Sequence, residues 1–294
     1  MSIKPTIKKQ KIKSCFQYVN CGKISREKNR GGEMVKETLK RMQNTPFLKL
    51  PFGGINADFL RFTAVIFMLL DHSWTAFIPG NNWLNYLGRM AFPIFAFQIS
   101  EGFIHTSDIK KYFLRLLVFA LVSEIPFNVF CASEIFFPHY QNILFTFLLS
   151  IVALEIVKTV KKDPTVLKVT MGFIGVAIVV ISAEILKVDY GAAGVVTVLA
   201  FYLFRDFPCA FLAQFATLFF VFVFLYPGRP VLFGFRGEIY SFPVQIFSLF
   251  SLIFIWLYNG KKGKKNKALQ YGFYAFYPLH IALLCVVRFV LNNV

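Results

Sequence analysis

Apolar runs separated by short polar intervals recur along the chain, near 59–78, 83–103, 112–130, 142–157, 166–186, 191–204, 208–225, 242–258 and 269–291. Most approach the roughly 20 residues that a helix needs to cross hydrocarbon. The sixth run is short and its ends are indistinct, so the pattern predicts about nine spans, with eight to ten allowed. These elements add up to an all-α fold, a polytopic integral membrane helical bundle. A transmembrane β-barrel would instead show alternating segments of roughly ten residues, and no such alternation runs through the sequence. Loops of a few residues join the runs, which favours one helical domain over 56–294, preceded by a polar stretch over 1–50.

Composition agrees with the pattern. Of 294 residues, 56% are hydrophobic, 38 are Phe, and the mean hydropathy is +0.59, a load that a soluble domain does not carry. The net charge of +17 reads mainly as a topology signal. Residues 1–50 hold 13 Lys/Arg against three acids. The loops after the even-numbered runs hold 12 basic residues, among them Lys110, Lys111, Lys158, Arg205 and Lys262; the opposite loops hold three, Lys187, Arg229 and Arg236. Basic loops stay in the cytoplasm, so the N-terminus of this membrane protein is expected there. The first 45 or so residues lack the apolar core of a signal peptide and are expected to form a disordered tail attracted to anionic lipid, or to precede a true start at Met34 or Met42. Nucleic-acid binding is excluded as the meaning of the charge, because no basic folded domain accompanies it. The five cysteines show no metal-ligand spacing, and no metal is expected.

An ionisable side chain at membrane depth is costly, so its default meaning is functional. The first run, Phe59 to Ile78, carries Arg61, then His72 after ten intervening residues, with Asp71 beside the histidine. Eleven helical steps advance about 16 Å and return to within roughly 20° of the same face. A basic anchor near one membrane surface is thereby aligned with a titratable base near the other. Following the chain back and forth places Asp71, His72, Arg89, Glu124, Asn142 and Glu184 in one layer toward the outer leaflet, close to Asp189 and Tyr190. His280 falls nearer mid-membrane. Structural readings compete: Arg89 can pair with Glu124 or Glu184, Asn142 can hydrogen-bond between helices, and His280 can be satisfied by a backbone carbonyl. Adjacent helical residues do not face each other, so Asp71 need not orient His72, and Glu124 or Glu184 is at least as well suited.

Several segments together carry a family resemblance. They are the Asp71–His72 pair, GRMAFPIFAF from Gly88 to Phe97, EGF from Glu101 to Phe103 and RLLVFALVSEIPFNV from Arg115 to Val129. With them go NILFT from Asn142 to Thr146, DYG from Asp189 to Gly191 and FYAFYPLHI from Phe273 to Ile281. From Asn56 onward the chain resembles the TraX family, named for the protein that N-acetylates conjugative pilin. That family is similar to the broader transmembrane acyltransferases, whose signature of a basic residue, ten residues and a histidine fits Arg61 and His72. The resemblance implies acyl transfer from cytoplasmic acyl-CoA, acetyl-CoA first, to an acceptor at the outer face: a pilin-like N-terminus, a sugar or a glycolipid.

Such a reaction needs a base for the acceptor's proton and donors for the developing oxyanion. His72 suits the first role, with Asp71 or Glu124 as its partner. Arg89, Asn142, Glu184, Tyr190 and His280 are the candidates around the acceptor or the oxyanion. Arg61, with Lys110 and Lys111 in the neighbouring loop, is expected to meet the nucleotide phosphates. The alternative is a proton-coupled transporter or flippase. It is disfavoured because no internal repeat is evident and Pro93, Pro126 and Pro278 are not symmetrically placed.

Overall fold

The structure, a computed structural model, describes residues 54–207, 209–263 and 267–292; the basic tail over 1–50 lies outside the described residues. Helix α1 (Ala57–Phe77) starts at Asn56, whose side chain accepts from the Phe59 amide. Helices α2 (Asn82–Gly88) and α3 (Ala91–His105) follow, then α4 (Ile109–Ala132), capped by Asp108. Helix α5 (Ile143–Lys162) is capped by Asn142 and α6 (Val166–Ile185) by Thr165. Each of these caps satisfies one of the amides that a helix start leaves without a partner. Helices α7 (Gly191–Leu203) and α8 (Ala210–Phe220) come next, the latter continued by a π-helical turn over Val221–Leu225. A hairpin of β1 (Pro230–Phe235) and β2 (Glu238–Pro243) leads into a 3-10 run over Val244–Phe250, α9 (Ser251–Trp256) and finally α10 (Lys267–Asn292).

Among the described residues four helices are long and apolar enough to cross a membrane: α4, α5, α6 and the Ala268–Leu291 part of α10. The expectation of about nine spans is therefore not met by length and composition. Helix α1 has 21 residues but carries Asp58, Arg61 and Asp71. The second apolar run is broken at Arg89–Met90 into α2 and α3. The segments Gly191–Leu203, Ala210–Leu225 and Val244–Trp256 are apolar but shorter. The eighth run also loses its first residues, Phe242 and Pro243, to the hairpin, an element that the all-α reading does not contain. Its turn places Arg236 and Gly237 at φ 52° and 85°, the left-handed pair that matches the twist of two strands.

Contacts along the helices fix their relative directions. Phe62 meets Phe273 at 5.0 Å, and His72 meets His280 farther along both helices, so α1 and α10 run parallel. Phe119 stacks on Tyr274 at 5.2 Å and Cys285 reaches the Pro126 carbonyl at 3.8 Å, so α4 runs parallel to them. Asn142, at the start of α5, bonds Glu124 and Ala120 in the second half of α4, so α5 runs back. Leu60, Ile94, Leu116, Leu154, Phe201 and Ile281 are fully buried where these helices converge. Large apolar side chains cover the outside, with Phe173 of α6 78% exposed. Water would not tolerate that exterior over so much surface, whereas lipid does.

Candidate active site

His72 has a partner, and it is neither Asp71 nor a glutamate. Its Nδ1 lies 2.7 Å from Nε2 of His280, with the two ring planes within 1° of parallel. The other nitrogen of His280, Nδ1, lies 2.7 Å from the carbonyl oxygen of Phe276 one turn back. A carbonyl oxygen only accepts, so Nδ1 of His280 carries the proton. In the neutral ring Nε2 is then an acceptor, and Nδ1–H of His72 donates to it. Nε2 of His72 is left with a free lone pair. The backbone of α10 thus sets the tautomer of both rings and presents His72 as a base, with Phe130 packed against it at 5.5 Å. The sequence placed both histidines at depth but did not join them, because the two positions are 208 residues apart.

The expected polar layer divides into separate contacts instead of facing one cavity, with Nε of Arg89 and of Arg229 and Oε1 of Glu124 left without a partner. Asp71 forms an ion pair with Arg89 and accepts from Asn85 at 2.7 Å. Gly88 is where α2 crosses α1 at Asp71; any Cβ there would strike the aspartate. Arg229, at the foot of the hairpin, donates to Asn82 at 2.9 Å and Asn85 at 3.1 Å and lies over the Trp74 ring at 4.9 Å. Glu124 accepts from Asn142 at 2.5 Å, while Asn142 also donates to the Ala120 carbonyl and caps α5. Glu184 is exposed and accepts from the Ala192 amide at 2.7 Å, which makes it a cap for α7. Tyr190 is buried in an aromatic stack, 3.7 Å from Phe92 and 4.7 Å from Tyr226. Asp189 accepts from the Tyr140 hydroxyl at 2.5 Å. Arg89 thus pairs with Asp71, and neither glutamate of the layer is its ion-pair partner.

A cavity with polar lining residues lies at the other end of α1. It has a volume of about 560 Å³ and opens between α1, α3, α4, α5 and α10, within the range of small-molecule sites. Arg61, His105, Arg115 and Lys262 surround it on the side where α1 and α4 begin. Its walls are largely apolar and aromatic, with Tyr112, Phe273 and Tyr274, and it extends along the helices to Phe147 and Tyr277. Tyr277 also packs 5.8 Å from the His280 ring, so the cavity stops one aromatic layer short of the histidine pair. His72 and His280 are not among its lining residues.

The charges around the cavity differ in how far they are compensated. Arg61 pairs with Asp58 at 2.8 Å and lies over the Phe273 ring at 5.8 Å. Glu101 is held by Arg205 at 2.6 Å and His105 at 3.3 Å, and Lys262 donates to the His105 carbonyl at 3.3 Å. Lys110 and Lys111 are outside the lining. Both are exposed, and Lys111 pairs with Asp108 at 3.1 Å. Asp108 sits at the start of α4, where the hydrogen bond from the Lys111 amide, followed by the Lys111 ammonium, holds its carboxyl below the ordinary value of 3.8. Arg115, Gln98, Lys262 and Tyr274 were missed in the sequence. Arg115 obeys the rule that singled out Arg61, a charge inside an apolar run, but opens a segment that reads as a helix end.

Together these features define an integral membrane helical protein with a cationic internal cavity and a buried histidine pair. The TraX protein family model matches residues 56–288, and the chain belongs to the TraX family. A Dichelobacter nodosus protein described as "Probable fimbrial assembly protein FimC, serogroup H1" is 31% identical over 252 residues, covering 81% of this chain and 99% of that protein. No solved structure matches the chain.

Proposed function

We propose that the protein is a membrane-embedded acyltransferase, placed among the transmembrane acyltransferases, that moves an acetyl group from cytoplasmic acetyl-CoA to an amine or hydroxyl at the outer face of a bacterial cytoplasmic membrane. The observation that carries this reading is the chain from the Phe276 carbonyl through His280 to His72, which leaves an imidazole lone pair just beyond a cavity with a cationic mouth. In this reading the Arg61 end faces the cytoplasm, in keeping with the basic loops, and the donor enters there with its phosphates near Arg61, Arg115 and Lys262. Its thin thioester arm runs toward Tyr277.

Nε2 of His72 takes the proton from the acceptor's NH or OH as the nitrogen or oxygen attacks the thioester carbonyl. The new C–N or C–O bond forms, and the C–S bond breaks as the tetrahedral intermediate collapses. The imidazolium returns its proton to the departing thiolate, so no net proton stays on the protein. His280 accepts from Nδ1–H of His72 and favours the positive charge on that ring while the proton is held. Tyr277 stands between the cavity and the pair, so its hydroxyl is the group this reading places beside the thioester carbonyl. Asn142, Arg89 and Tyr190 are not used as oxyanion donors: Asn142 is tied to Ala120 and Glu124, Arg89 to Asp71, and none of the three lines the cavity.

The relative's description as a fimbrial assembly protein favours a pilin-like acceptor over a sugar or glycolipid. The test is transfer of label from acetyl-CoA in protein reconstituted into vesicles, with pilin-like peptides whose N-terminus is free or blocked. Labelled product with the free peptide supports the reading. Absence of both acetyl-CoA binding and transfer to any acceptor overturns it.

A further inference from the structure

Hydrogen-bonding capacity that a protein buries without using points to what belongs there. Among the described residues lining the cavity, two side chains hold buried nitrogens with no partner: Nε of Arg115 and Nε2 of Gln98. Both are donors only, so both call for an acceptor oxygen. Arg115 is also the arginine of this region that no described carboxylate pairs with, whereas Arg61 has Asp58 and Arg205 has Glu101. Its side chain hydrogen-bonds the Tyr274 hydroxyl, and Tyr112 also lies near it; neither is a carboxylate. A guanidinium inside an apolar run, desolvated at Nε and lacking a counter-charge, is costly unless an anion joins it. Gln98 faces the same space from α3, where the walls are apolar, and offers an amide N–H to an uncharged oxygen.

We propose that Arg115 and Gln98 form the binding subsite of this cavity, Arg115 taking a phosphate and Gln98 a carbonyl oxygen of the chain attached to it. Resting on the acyltransferase reading, this assigns the two groups to the phosphate and an arm amide of the acyl-CoA donor, and removes Lys110 and Lys111 from that role. The same phosphate-plus-carbonyl chemistry is found in an anionic phospholipid headgroup, so the experiment must separate the two sources.

Purified full-length protein in a non-ionic detergent is titrated with acetyl-CoA, phosphopantetheine, pantetheine and phosphatidylglycerol, as wild type, Arg115→Gln, Arg115→Lys and Gln98→Leu. Acetyl-CoA affinity is expected to fall roughly tenfold to a hundredfold in Arg115→Gln, the size of a lost hydrogen bond to a charged group. Arg115→Lys should recover part of it, because the charge remains while the fork geometry is lost. Arg115→Gln should also erase the preference for phosphopantetheine over pantetheine. Gln98→Leu should weaken pantetheine and phosphopantetheine by the same factor. Unchanged acetyl-CoA affinity in a folded Arg115→Gln protein overturns the subsite while leaving the acyltransferase reading intact. If the wild type binds no acetyl-CoA, the acyltransferase reading fails instead. Phosphatidylglycerol binding that Arg115→Gln abolishes would then keep Arg115 as a phosphate seat for lipid, and equal binding by both proteins would overturn it.

Discussion

The two ends of α1 both carry charged residues, yet they differ in what their unused bonding capacity faces. At the far end Asp71 pairs with Arg89 and accepts from Asn85, Arg229 donates to Asn85, Glu124 is tied to Asn142, and Glu184 closes a helix start; Nε of Arg89 and of Arg229 and Oε1 of Glu124 stay without a partner, but none of these residues lines the cavity. At the near end Arg115 and Gln98 hold unpaired donors against open space. The first arrangement is what a bundle needs to bring polar residues into lipid: each group offsets the desolvation of its neighbour. The second is costly without a ligand. An ionisable residue inside a span is therefore only a starting point, and the partners it lacks say more than its depth. Between these regions the histidine pair is satisfied everywhere except at Nε2 of His72, the atom that the proposed chemistry uses.

The largest effect is expected where the comparison is most exposed, at His72. Replacing it with Ala should lower transfer by about 10²–10⁴-fold, the usual worth of a positioned acid–base group. Acetyl-CoA affinity should stay as it was, because His72 does not line the cavity. His280→Ala should cost less, on the order of a hundredfold, the low end of that range, since the base remains but its tautomer and orientation are no longer imposed. Single-turnover rates and direct binding separate the two quantities. A His72→Ala protein that works within severalfold of wild type would remove the base from this site.

Asp71 tests the opposite half of the comparison. Its side chain is 13% exposed and that of Arg89 19%, so Asp71→Asn leaves a nearly buried guanidinium without its counter-charge. Breaking one side of such a pair costs about 3–5 kcal/mol. Removing both charges, as Asp71→Asn with Arg89→Gln, should recover much of that loss. Thermal unfolding in detergent measures it. The rate per folded molecule should change little in either variant, although Asp71 adjoins His72 in the chain. A rate loss as deep as that of His72→Ala would return Asp71 to the catalytic group and dissolve the contrast between the two ends.

The parts of this arrangement that could be read from the sequence are those that rest on local pattern. Long apolar runs gave helices, and Asn56, Asp108 and Asn142 stand where helix starts need a side-chain acceptor. The helical repeat put Arg61 and His72 on one face, and the structure keeps them at the cavity mouth and the histidine pair, respectively. What could not be read depends on which helices touch. The His72–His280 contact joins the first and last helices, and the Asp71–Arg89 pair depends on the turn between α1 and α2. Apolar runs suggested about nine spans where four described helices are long and apolar enough, because hydropathy does not register a break such as Arg89–Met90 or the hairpin, whose strands expose Leu232, Phe233, Ile239 and Tyr240.

The smallest effect is expected at the surface, at Asp108 and Lys111. Asp108 accepts from the Lys111 amide at 3.0 Å, and this bond and the Lys111 ammonium hold its carboxyl below 3.8. A carboxyl depressed on folding stabilises the protein above its unfolded value and loses that contribution as pH falls through the lower folded value. The melting temperature of the wild type should therefore drop on acidification below about pH 4, the range of ordinary aspartates. Asp108→Asn keeps a capping oxygen without the titrating charge, so its melting temperature should be slightly lower at neutral pH and fall less in acid. Solvent screens an exposed pair, so both shifts should be small. The same variant bears on the donor site, because it frees Lys111 from its partner. If Lys111 only serves the start of α4, Asp108→Asn leaves acetyl-CoA affinity unchanged. If affinity rises when Lys111 is released, or falls in Lys111→Ala, the loop lysines belong with Arg61 at the phosphates, and the unspent capacity of Arg115 is no longer the feature that marks the site.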